Sequence, residues 1–352
     1  MYVRDCWYVA AWDHELTGEA PIGRTILGEP VVVYRAGSGG LVALADRCCH
    51  RFAPLSLGRV EGDDLRCMYH GLKFDRGGRC VEIPGQDMIP ATACVRAYPV
   101  TSRHSWVWVW MGDPAKADEA LIPPAVGLDH PDWTLRSGHM DYEANYQLIN
   151  DNLTDFTHLS YVHAKSFGAT EAFARTRPTV ERLERGVRIW RWITEGLRAD
   201  APTTVHRRAE GDNWQSYDFL APGVLLMHTA IFPAGTAARF GGGAPDLSQA
   251  APLSENFTSQ AVTPMSERTS RYFFSWGPRS GEGSEAVADA MLELAHMAFG
   301  EDKAMIEAQQ RSIDLGPAQK EVLTSADVGP MQFRAVLQRL MREEGSAAEA
   351  AA

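Results

Sequence analysis

The first 110 residues alternate between apolar and polar positions over short runs separated by turn residues. RTILGEPVVVYR (24–35) has β-branched residues on both sides of a Gly-Glu-Pro turn, and LVALAD (41–46) follows the turn sequence GSGG. Such runs, bounded by glycine and proline, predict β-hairpins. The later stretch SWVWVWMGDP alternates strictly and predicts a strand with one buried face rather than a ligand-stacking platform. That face carries Trp106, Trp108 and Trp110.

The pattern changes after the proline-rich segment ALIPPAVGLDHPDW (120–133). Three β-rich runs follow, GVRIWRWIT, GVLLMHTAIF and SRYFFSW, and helical periodicity covers 286–313 and the stretch MQFRAVLQRLMRE. The segment at about 234–255 is rich in glycine, alanine, proline and serine, which predicts a mobile surface loop. The alanine-rich tail at about 344–352 is predicted to be disordered.

These patterns predict an α+β chain of two domains. An all-β domain covers 1–119, and an α+β domain covers 120–352. The chain has 34 basic and 45 acidic residues, a net charge of −11, which argues against nucleic acid or an anionic membrane as the main partner. Its apolar runs fall short of the roughly 20 residues that span a bilayer. The N-terminus lacks a signal peptide's apolar core, so we expect a cytoplasmic protein.

Cysteine and histidine are concentrated in two short stretches of the N-terminal part. DRCCHRFAPLSLG and LRCMYHGLKFDRGG supply a C-x-H pair and a C-x-x-H pair: Cys48, His50, Cys67 and His70. Two thiolates and two imidazoles fit either a structural zinc ion or a Rieske [2Fe–2S] cluster. Zinc modules usually pair two cysteines and then two histidines, so the alternating order favours the cluster.

The same region is locally basic. Residues 47–79 contain seven bases and four acids. The excess of +3 is either scatter or a docking surface for an acidic electron-donor protein, whose association it would accelerate. The bases are Arg47, Arg51, Arg59, Arg66, Lys73, Arg76 and Arg79.

A second group of polar residues lies in the helix-like stretch NDNLTDFTHLSYVH. On an ideal helix Asp151, Asp155 and His158 fall within about 60° of one another, but His163 lies about 140° from His158. A regular helix therefore cannot direct both histidines at one ion, and the stretch must bulge or end between them. Taken alone, the stretch is more typical of a polar helix face than of a metal site.

Downstream carboxylates change that interpretation. Glu301 and Asp302 lie at the start of the helical run AFGEDKAMIEAQ. Two histidines and one carboxylate form the facial triad of non-haem Fe(II) oxygenases, which leaves coordination positions open for dioxygen and substrate.

The string CCHRFAPLSLG…CMYHGLKFD, followed by D-x(3)-D-x(2)-H-x(4)-H, resembles the Rieske non-haem iron oxygenases over essentially the whole chain. Among them the chain looks most like vanillate O-demethylase oxygenase components, with the dicamba-type O-demethylases as relatives. Cys49 stands where that family commonly has proline. The resemblance implies an N-terminal all-β Rieske domain and a C-terminal α+β catalytic domain with a large antiparallel sheet flanked by helices.

The resemblance also implies roles for individual residues. His158, His163 and Asp302 would bind the mononuclear iron, with Glu301 as the rival for the third position. Asp155 would relay electrons between subunits, accepting hydrogen bonds from His158 and from His70 of the partner subunit. This arrangement requires a homotrimer. Asp151 would support the helix.

The implied reaction is the O₂-dependent O-demethylation of a methoxylated aromatic acid, through methyl hydroxylation and release of formaldehyde. Electrons would come from NAD(P)H through a separate flavin/iron–sulfur reductase or a ferredoxin. Ring hydroxylation, N-demethylation and methyl oxidation use the same iron site and stay open. So do two functions of another class, a Rieske electron carrier and a zinc-stabilised binding module.

Residues of the substrate pocket are also implied by the resemblance. They are Asn152, Met227, His228 and Gln260, although His228 is equally typical of a core or surface histidine. An aromatic acid also needs a local cation or hydrogen-bond donors for its charged group. The candidate cations are Arg207, Arg208 and Arg239.

Overall fold

The computed structural model describes residues 1–18, 20–194, 211–316 and 320–351, and side chains as far as Ser346 in the last range. The strands within these ranges are β1 (Trp7–Trp12), β2 (Ile22–Ile26), β3 (Glu29–Arg35), β4 (Leu41–Ala45), β5 (Arg59–Glu61), β6 (Asp64–Arg66), β7 (Lys73–Phe74), β8 (Cys80–Glu82), β9 (Ala97–Tyr98), β10 (Val100–Arg103), β11 (Trp106–Trp110), β12 (Arg136–Tyr142), β13 (Thr179–Leu183), β14 (Gly186–Ile193), β15 (Asp212–Leu220), β16 (Val224–Phe232), β17 (Ser254–Pro264) and β18 (Ser270–Pro278). The helices are α1 (Tyr146–Thr154), α2 (Ala172–Arg175), α3 (Thr236–Arg239), α4 (Ser284–Asp314) and α5 (Val328–Ala351).

The chain divides into two compact units. Unit 1 comprises Met1–Ile122, Thr263–Glu267 and Glu344–Ala352, and unit 2 comprises Pro123–Val262 and Arg268–Glu343. The first change of unit therefore falls after Ile122, close to the expected boundary at 119/120. Unit 1 additionally includes two short pieces from later in the chain.

Unit 1 consists of three small sheets, with strand orders β1-β11-β10, β2-β3-β4-β9 and β5-β6-β7-β8. The expected hairpin at 24–35 is present as β2 and β3, but its turn is Leu27–Gly28, with φ of 53° and 82°, rather than Gly-Glu-Pro, because Glu29 and Pro30 already belong to β3. Positive φ at both central residues matches the right-handed twist of the flanking strands.

β11 differs in one respect from its expected form. All five of its residues are buried, so the valines between the three tryptophans face core as well. Alternation of tryptophan with valine cannot reveal this, because both residue types are apolar and period-2 patterning marks a half-buried strand only when one face is polar.

Unit 2 contains one seven-stranded antiparallel sheet in the order β12-β18-β17-β16-β15-β14-β13. Helix α4 packs on β18 through Phe299, whose ring lies 4.8 Å from that of Phe274. Helix α5 packs on β15 through Phe333, which is fully buried with its ring 4.5 Å from Phe219. The expected α+β architecture, a large antiparallel sheet flanked by helices, is confirmed.

The segments 234–255 and 344–352 were both expected to be irregular, and the structure agrees with this to different extents. The segment 234–255 contains α3, and its Gly243 carbonyl accepts a hydrogen bond from the Trp192 indole at 2.8 Å; its mobility stays a prediction. The segment from 344, expected to be a disordered tail, is instead helical as far as Ala351. Alanine and glutamate are strong helix formers, so α5 can continue through it.

Among the described residues, no helix combines the length and the apolar character needed to cross a membrane.

Candidate metal centres and substrate cavity

Two loops of unit 1 carry the four residues of the first constellation. Each loop closes on its own cysteine through backbone hydrogen bonds. The Cys48 amide donates to Ala53 O at 2.9 Å and its carbonyl accepts from Phe52; the Cys67 amide donates to Leu72 O at 2.8 Å and its carbonyl accepts from Gly71. Both cysteines are therefore fixed at equivalent points of two similar turns.

Gly71 shows why the second turn is so tight. Its φ is +78°, and a Cβ at this position would lie 2.7 Å from Cγ of Pro84. A side chain here would both strain the backbone and displace the neighbouring loop, so glycine is required beside His70.

The thiols and the imidazoles have different surroundings. Cys48 and Cys67 are buried, whereas His50 and His70 are exposed with ring centroids 4.6 Å apart. Burial, and then the adjacent Cys67 thiol, raises the pKa of Cys48 to about 11. Two adjacent buried sulfurs and two adjacent exposed imidazoles match a [2Fe–2S] cluster with one iron bound by cysteine and the other by histidine.

Cys49 lies outside this set of four. It is half-buried, and burial followed by the nearby Cys80 raises the pKa of its thiol. A raised pKa lowers the fraction of reactive thiolate.

The second constellation lies where a helix is interrupted. Helix α1 ends at Thr154, Asp155 has extended backbone (φ −132°, ψ 104°), and a short 3-10 helix covers Phe156–Ser160. The Asp155 carboxylate caps this second helix by accepting from Thr157 N at 2.8 Å. The histidine spacing predicted a bulge or an end between His158 and His163, and the 3-10 helix does end there, at Ser160, followed by irregular turns. The break at Asp155, which comes before both histidines, was not predicted.

Three side chains converge at this interruption. His158, His163 and Asp302 each offer a ligand atom, and these atoms lie within 4.8 Å of one another. Nε2 of His163 is 3.1 Å and Nε2 of His158 is 3.5 Å from Oδ1 of Asp302. His163 and Asp302 are almost completely buried.

Hydrogen bonds behind both rings determine which nitrogen faces this point. Nδ1 of His158 lies 2.6 Å from the backbone carbonyl of Asp155, and Nδ1 of His163 lies 2.8 Å from Oε2 of Glu301. Carbonyl and carboxylate oxygens only accept hydrogen bonds, so each Nδ1 carries the proton. Both Nε2 lone pairs are therefore directed at Asp302, as a neutral-imidazole metal site requires.

The structure separates the rival carboxylates. Glu301 contacts the far side of the His163 ring and accepts from Ser166 Oγ at 2.6 Å, whereas Asp302 faces both Nε2 atoms. Asn152 also contacts this group, donating from Nδ2 to Asp302 Oδ1 at 3.1 Å and lying 3.4 Å from His158 Nε2.

Of two aspartates in the stretch, Asp155 has a contact that differs from the expected one, whereas Asp151 supports the helix as expected. His158 bonds to the backbone carbonyl of Asp155 rather than to its carboxylate, because that carboxylate is used in capping the 3-10 helix. Asp151 pairs with Arg334 of α5 and accepts from Gln147 at 3.0 Å, so it supports α1 by joining it to α5.

A cavity opens directly beside the triad, with a volume of about 110 Å³. Its volume is somewhat below the roughly 150 Å³ of a dry cavity that holds benzene, so it favours a single aromatic ring over a larger ring system. Apolar side chains form one part of its wall: Leu153, Phe156, Leu159, Phe167, Ala169, Phe173, Met227, Leu294 and Phe299.

Three of the four expected pocket residues line this cavity: Asn152, Met227 and Gln260. His228 does not. It lies on the opposite face of β16, where its Nε2 is 2.9 Å from Glu255 and its ring contacts Trp133. Successive residues of a strand point to opposite faces, so Met227 and His228 cannot both face the cavity.

The expected cations do not line the cavity either. Arg239 is exposed on α3, where it stacks on Phe240 and donates to Gln249 O at 3.1 Å. Arg207 and Arg208 lie outside the described residues.

A row of uncharged polar residues on the cavity face of the sheet was not predicted from the sequence. The row runs across three strands as Gln215, Thr229 and Asn256, which are direct cross-strand partners. A polar residue at every second position of β15 and β17, as in Asn213–Gln215 and Asn256–Thr258–Gln260, was the available signal.

Comparison with known proteins agrees with this geometry. Residues 6–99 match the Rieske [2Fe-2S] domain, and residues 142–343 match the vanillate O-demethylase oxygenase C-terminal domain. The chain belongs to the Rieske non-haem iron oxygenases. It is 42% identical over 98% of both chains to the toluene-4-sulfonate monooxygenase system iron-sulfur subunit TsaM1 of Comamonas testosteroni. It is 33% identical to a vanillate O-demethylase oxygenase subunit of Pseudomonas sp. (strain HR199 / DSM 7063), covering 100% of this chain and 98% of the relative.

Solved structures give the same result. Dicamba monooxygenase bound to dicamba superposes with a TM-score of 0.84 at 31% identity, covering 98% of this chain and 99% of the other. The same enzyme has been solved with non-haem iron and dicamba. The protein is thus an oxidoreductase, the terminal oxygenase component of a monooxygenase system. Its cofactors are a Rieske [2Fe–2S] cluster and a mononuclear non-haem iron.

Proposed function

We propose that this oxygenase inserts one oxygen atom into a methyl group of an aromatic acid. One observation carries the proposal: the cavity of about 110 Å³ has the convergent His158, His163 and Asp302 in its wall and apolar side chains around them. A ring of suitable size is thereby held against a group able to bind iron.

The ligand assignments follow from the donor sets. Cys48, Cys67, His50 and His70 hold the cluster, and His158, His163 and Asp302 hold the mononuclear iron. A two-histidine, one-carboxylate iron supplies O₂ activation at open coordination positions. Glu301 holds the His163 ring, and Asn152 orients the Asp302 carboxylate through its Nδ2 donor.

The apolar wall binds the ring and excludes water. Phe156, Phe167, Phe173 and Phe299 line it, and aromatic side chains bury large areas without offering competing polar groups. A substrate that fills the cavity displaces water from the reacting methyl group. Excluding water limits side reactions, so that dioxygen reacts with the substrate.

The atoms balance for either position of the methyl group. One atom of O₂ enters the C–H bond and the other leaves as water, with two electrons drawn from NAD(P)H through the reductase and two protons, one from NAD(P)H and one from solvent. A methyl on a ring oxygen gives a hemiacetal that collapses to a phenol and formaldehyde. A methyl on a ring carbon gives the benzylic alcohol. The 42% identity to the toluene-4-sulfonate relative favours the ring-carbon methyl, while the vanillate and dicamba relatives favour the methoxy group.

Electron delivery completes the proposal. We assign Asp155 as the relay between the cluster of one subunit and the iron of the next, which makes a homotrimer the working form. Asp155 lies three residues before His158, and its backbone carbonyl is hydrogen-bonded to the ring of that histidine. An NAD(P)H-dependent reductase or a ferredoxin supplies the electrons.

A substrate panel tests the reaction. Purified oxygenase with a generic reductase and NADH is given toluene-4-sulfonate, 4-methoxybenzoate, benzenesulfonate and benzoate. We expect benzylic alcohol from the first, formaldehyde from the second, or both, and no oxygenated product from the two acids that lack a methyl group. Ring hydroxylation of the methyl-free acids would contradict the proposal.

Metal analysis separates the alternatives of another class. The oxygenase requires about three irons per chain together with a Rieske-type absorption. Two irons alone would indicate an electron carrier, and colourless protein with zinc would indicate a binding module.

A further inference from the structure

Two of the amide side chains in the cavity wall have their orientation determined by neighbouring hydrogen-bond donors. Arg191 Nε donates to Oε1 of Gln215 at 3.1 Å, and Trp276 Nε1 donates to Oδ1 of Asn256 at 2.8 Å. Guanidinium and indole groups are donors only, so the atoms they contact must be the amide oxygens. This establishes the assignment of oxygen and nitrogen without ambiguity.

The consequence concerns what the wall offers to a ligand. Because Arg191 and Trp276 occupy the amide oxygens of Gln215 and Asn256, the NH₂ groups are the hydrogen-bonding groups that these two side chains have left for the cavity. The Thr229 hydroxyl lies between them in the same cross-strand row, with neighbouring strands about 4.8 Å apart. Three donor side chains thus form one row on the cavity face. All three residues are at least nine-tenths buried.

Arg191 adds a positive charge behind this row. It is 6% exposed, and within the described chain its hydrogen bonds go to neutral oxygens only: Gln215 Oε1 and the carbonyls of Phe156, Phe173 and Thr176. The Asp155 carboxylate influences it only from beyond ion-pair distance. A buried charge is normally paired, so the positive charge of Arg191 favours an anionic group in the neighbouring cavity.

No lysine or arginine is among the described residues that line the cavity; those able to carry charge are His158, His163 and Asp302. We propose that Gln215, Thr229 and Asn256 form a receptor for the oxyanion head group of the aromatic acid, with Arg191 and Trp276 as positioning residues. The receptor binds sulfonate or carboxylate through neutral donors, and three donor side chains correspond to the three oxygens of a sulfonate. This inference rests on the proposed function and names the group that its substrate must carry.

Isosteric substitutions test the receptor. Gln215→Glu and Asn256→Asp keep the shape of each side chain and the oxygen that accepts from Arg191 or Trp276. Each replaces the NH₂ donor with a carboxylate oxygen. Ser216→Asp is the matched control, because it adds the same charge one residue along β15 on the opposite face of the sheet. Iron content and the visible spectrum verify that each holoenzyme is assembled.

Binding is measured by titration calorimetry with the full-length holoenzyme. The anionic probes are toluene-4-sulfonate and 4-methoxybenzoate, and the neutral matched probes are 4-methylbenzenesulfonamide and 4-methoxybenzamide. We expect each cavity substitution to raise the Kd of an anionic probe by about tenfold or more, as loss of a charge-assisted hydrogen bond does. The Kd of its neutral counterpart should change by less than about threefold. Ser216→Asp should change neither.

The outcomes separate the receptor from the reaction. Equal weakening of anionic and neutral probes, or binding of neither acid by the unmodified protein, would overturn the receptor. Tighter binding of the sulfonate or of the carboxylate identifies the head group and supports it. If the acids bind with the expected charge dependence but no methyl group is oxidised in the substrate panel, the receptor stands and the proposed reaction fails.

Discussion

Glu301 accepts a hydrogen bond from Nδ1 of His163 at 2.8 Å. The next residue along α4, Asp302, lies 3.1 Å from Nε2 of the same ring. Consecutive carboxylates thus contact opposite sides of one imidazole, and the two have separable tasks. One orients the ring from behind, while the other faces the position where an ion binds. The first prediction follows from this division.

Replacing each carboxylate with its amide should have different effects on the iron. Asp302→Asn removes a proposed ligand charge, and we expect mononuclear iron to be lost. Glu301→Gln only weakens the support of His163, so iron should be retained with an affinity about 10–100-fold lower. The iron content of each variant is measured after dialysis against increasing concentrations of a chelator. The absorption of the cluster serves as the internal control. Equal iron loss in the two variants would contradict the assignment.

Asp155→Asn should separate electron transfer from folding. Asparagine caps a helix as well as aspartate does, so the bond to Thr157 N can persist and the protein should keep both metal centres. The side chain loses its charge, and we expect turnover to fall by well over tenfold, equivalent to more than about 1.4 kcal/mol in the barrier. Single-turnover rates of pre-reduced protein measure the effect. Near-normal turnover would exclude the relay.

Both groups of proposed metal ligands could be predicted from the sequence, because the spacing of their cysteines and histidines is characteristic of the metal centres. C-x-H and C-x-x-H loops predict the cluster, and the five-residue step from His158 to His163 predicted irregular backbone between them, where the 3-10 helix ends at Ser160. The choice between Glu301 and Asp302 was not accessible in this way. Adjacent residues on a helix differ by 100° in direction, and only the packing of α4 shows which one faces the histidines.

The cavity wall was harder to predict than the metal sets. His228 was expected there and lies on the other face of β16, because a strand reverses its side-chain direction at every residue. Gln215 and Asn256 were missed because they are far apart in sequence and become neighbours of Thr229 only through strand register. Alternating polar residues indicate a polar face on β15 and on β17, but neither strand alone records which of its residues lie beside Thr229.

The contact between α5 and the sheet gives a stability prediction. Phe333 is fully buried against Phe219, and truncation leaves a cavity that the rigid sheet cannot fill. We expect Phe333→Ala to lower the free energy of unfolding by about 3–5 kcal/mol. Met331→Ala, on the same helix but half-exposed, should change it by no more than about 0.5 kcal/mol. Denaturant titration of the two variants side by side measures the difference, and similar midpoints would contradict the packing.

The last prediction concerns the electron donor. Four of the seven bases between 47 and 79 are paired with acids of the same unit: Arg59, Arg66, Lys73 and Arg76. Arg47 and Arg51 are exposed on the loop that carries His50, and neither forms an ion pair within the described part of the chain. Long-range attraction to an acidic partner therefore depends mainly on such unpaired charges, because paired ones largely cancel.

We expect Arg51→Gln to slow reduction of the cluster by the reductase several-fold at low salt, and modest added salt to halve the rate for the unmodified protein by screening. Arg59→Gln is the matched control, since Arg59 is exposed on the same unit but paired with Glu61 at 2.6 Å. Stopped-flow reduction over a range of ionic strengths measures the rates. Rates that do not change with salt, or equal slowing in the two variants, would show that these arginines do not steer the donor. Because the substitution leaves the loop hydrogen bonds of Cys48 intact, a smaller salt dependence in Arg51→Gln with an unchanged cluster spectrum would locate the docking surface beside the histidine-bound iron.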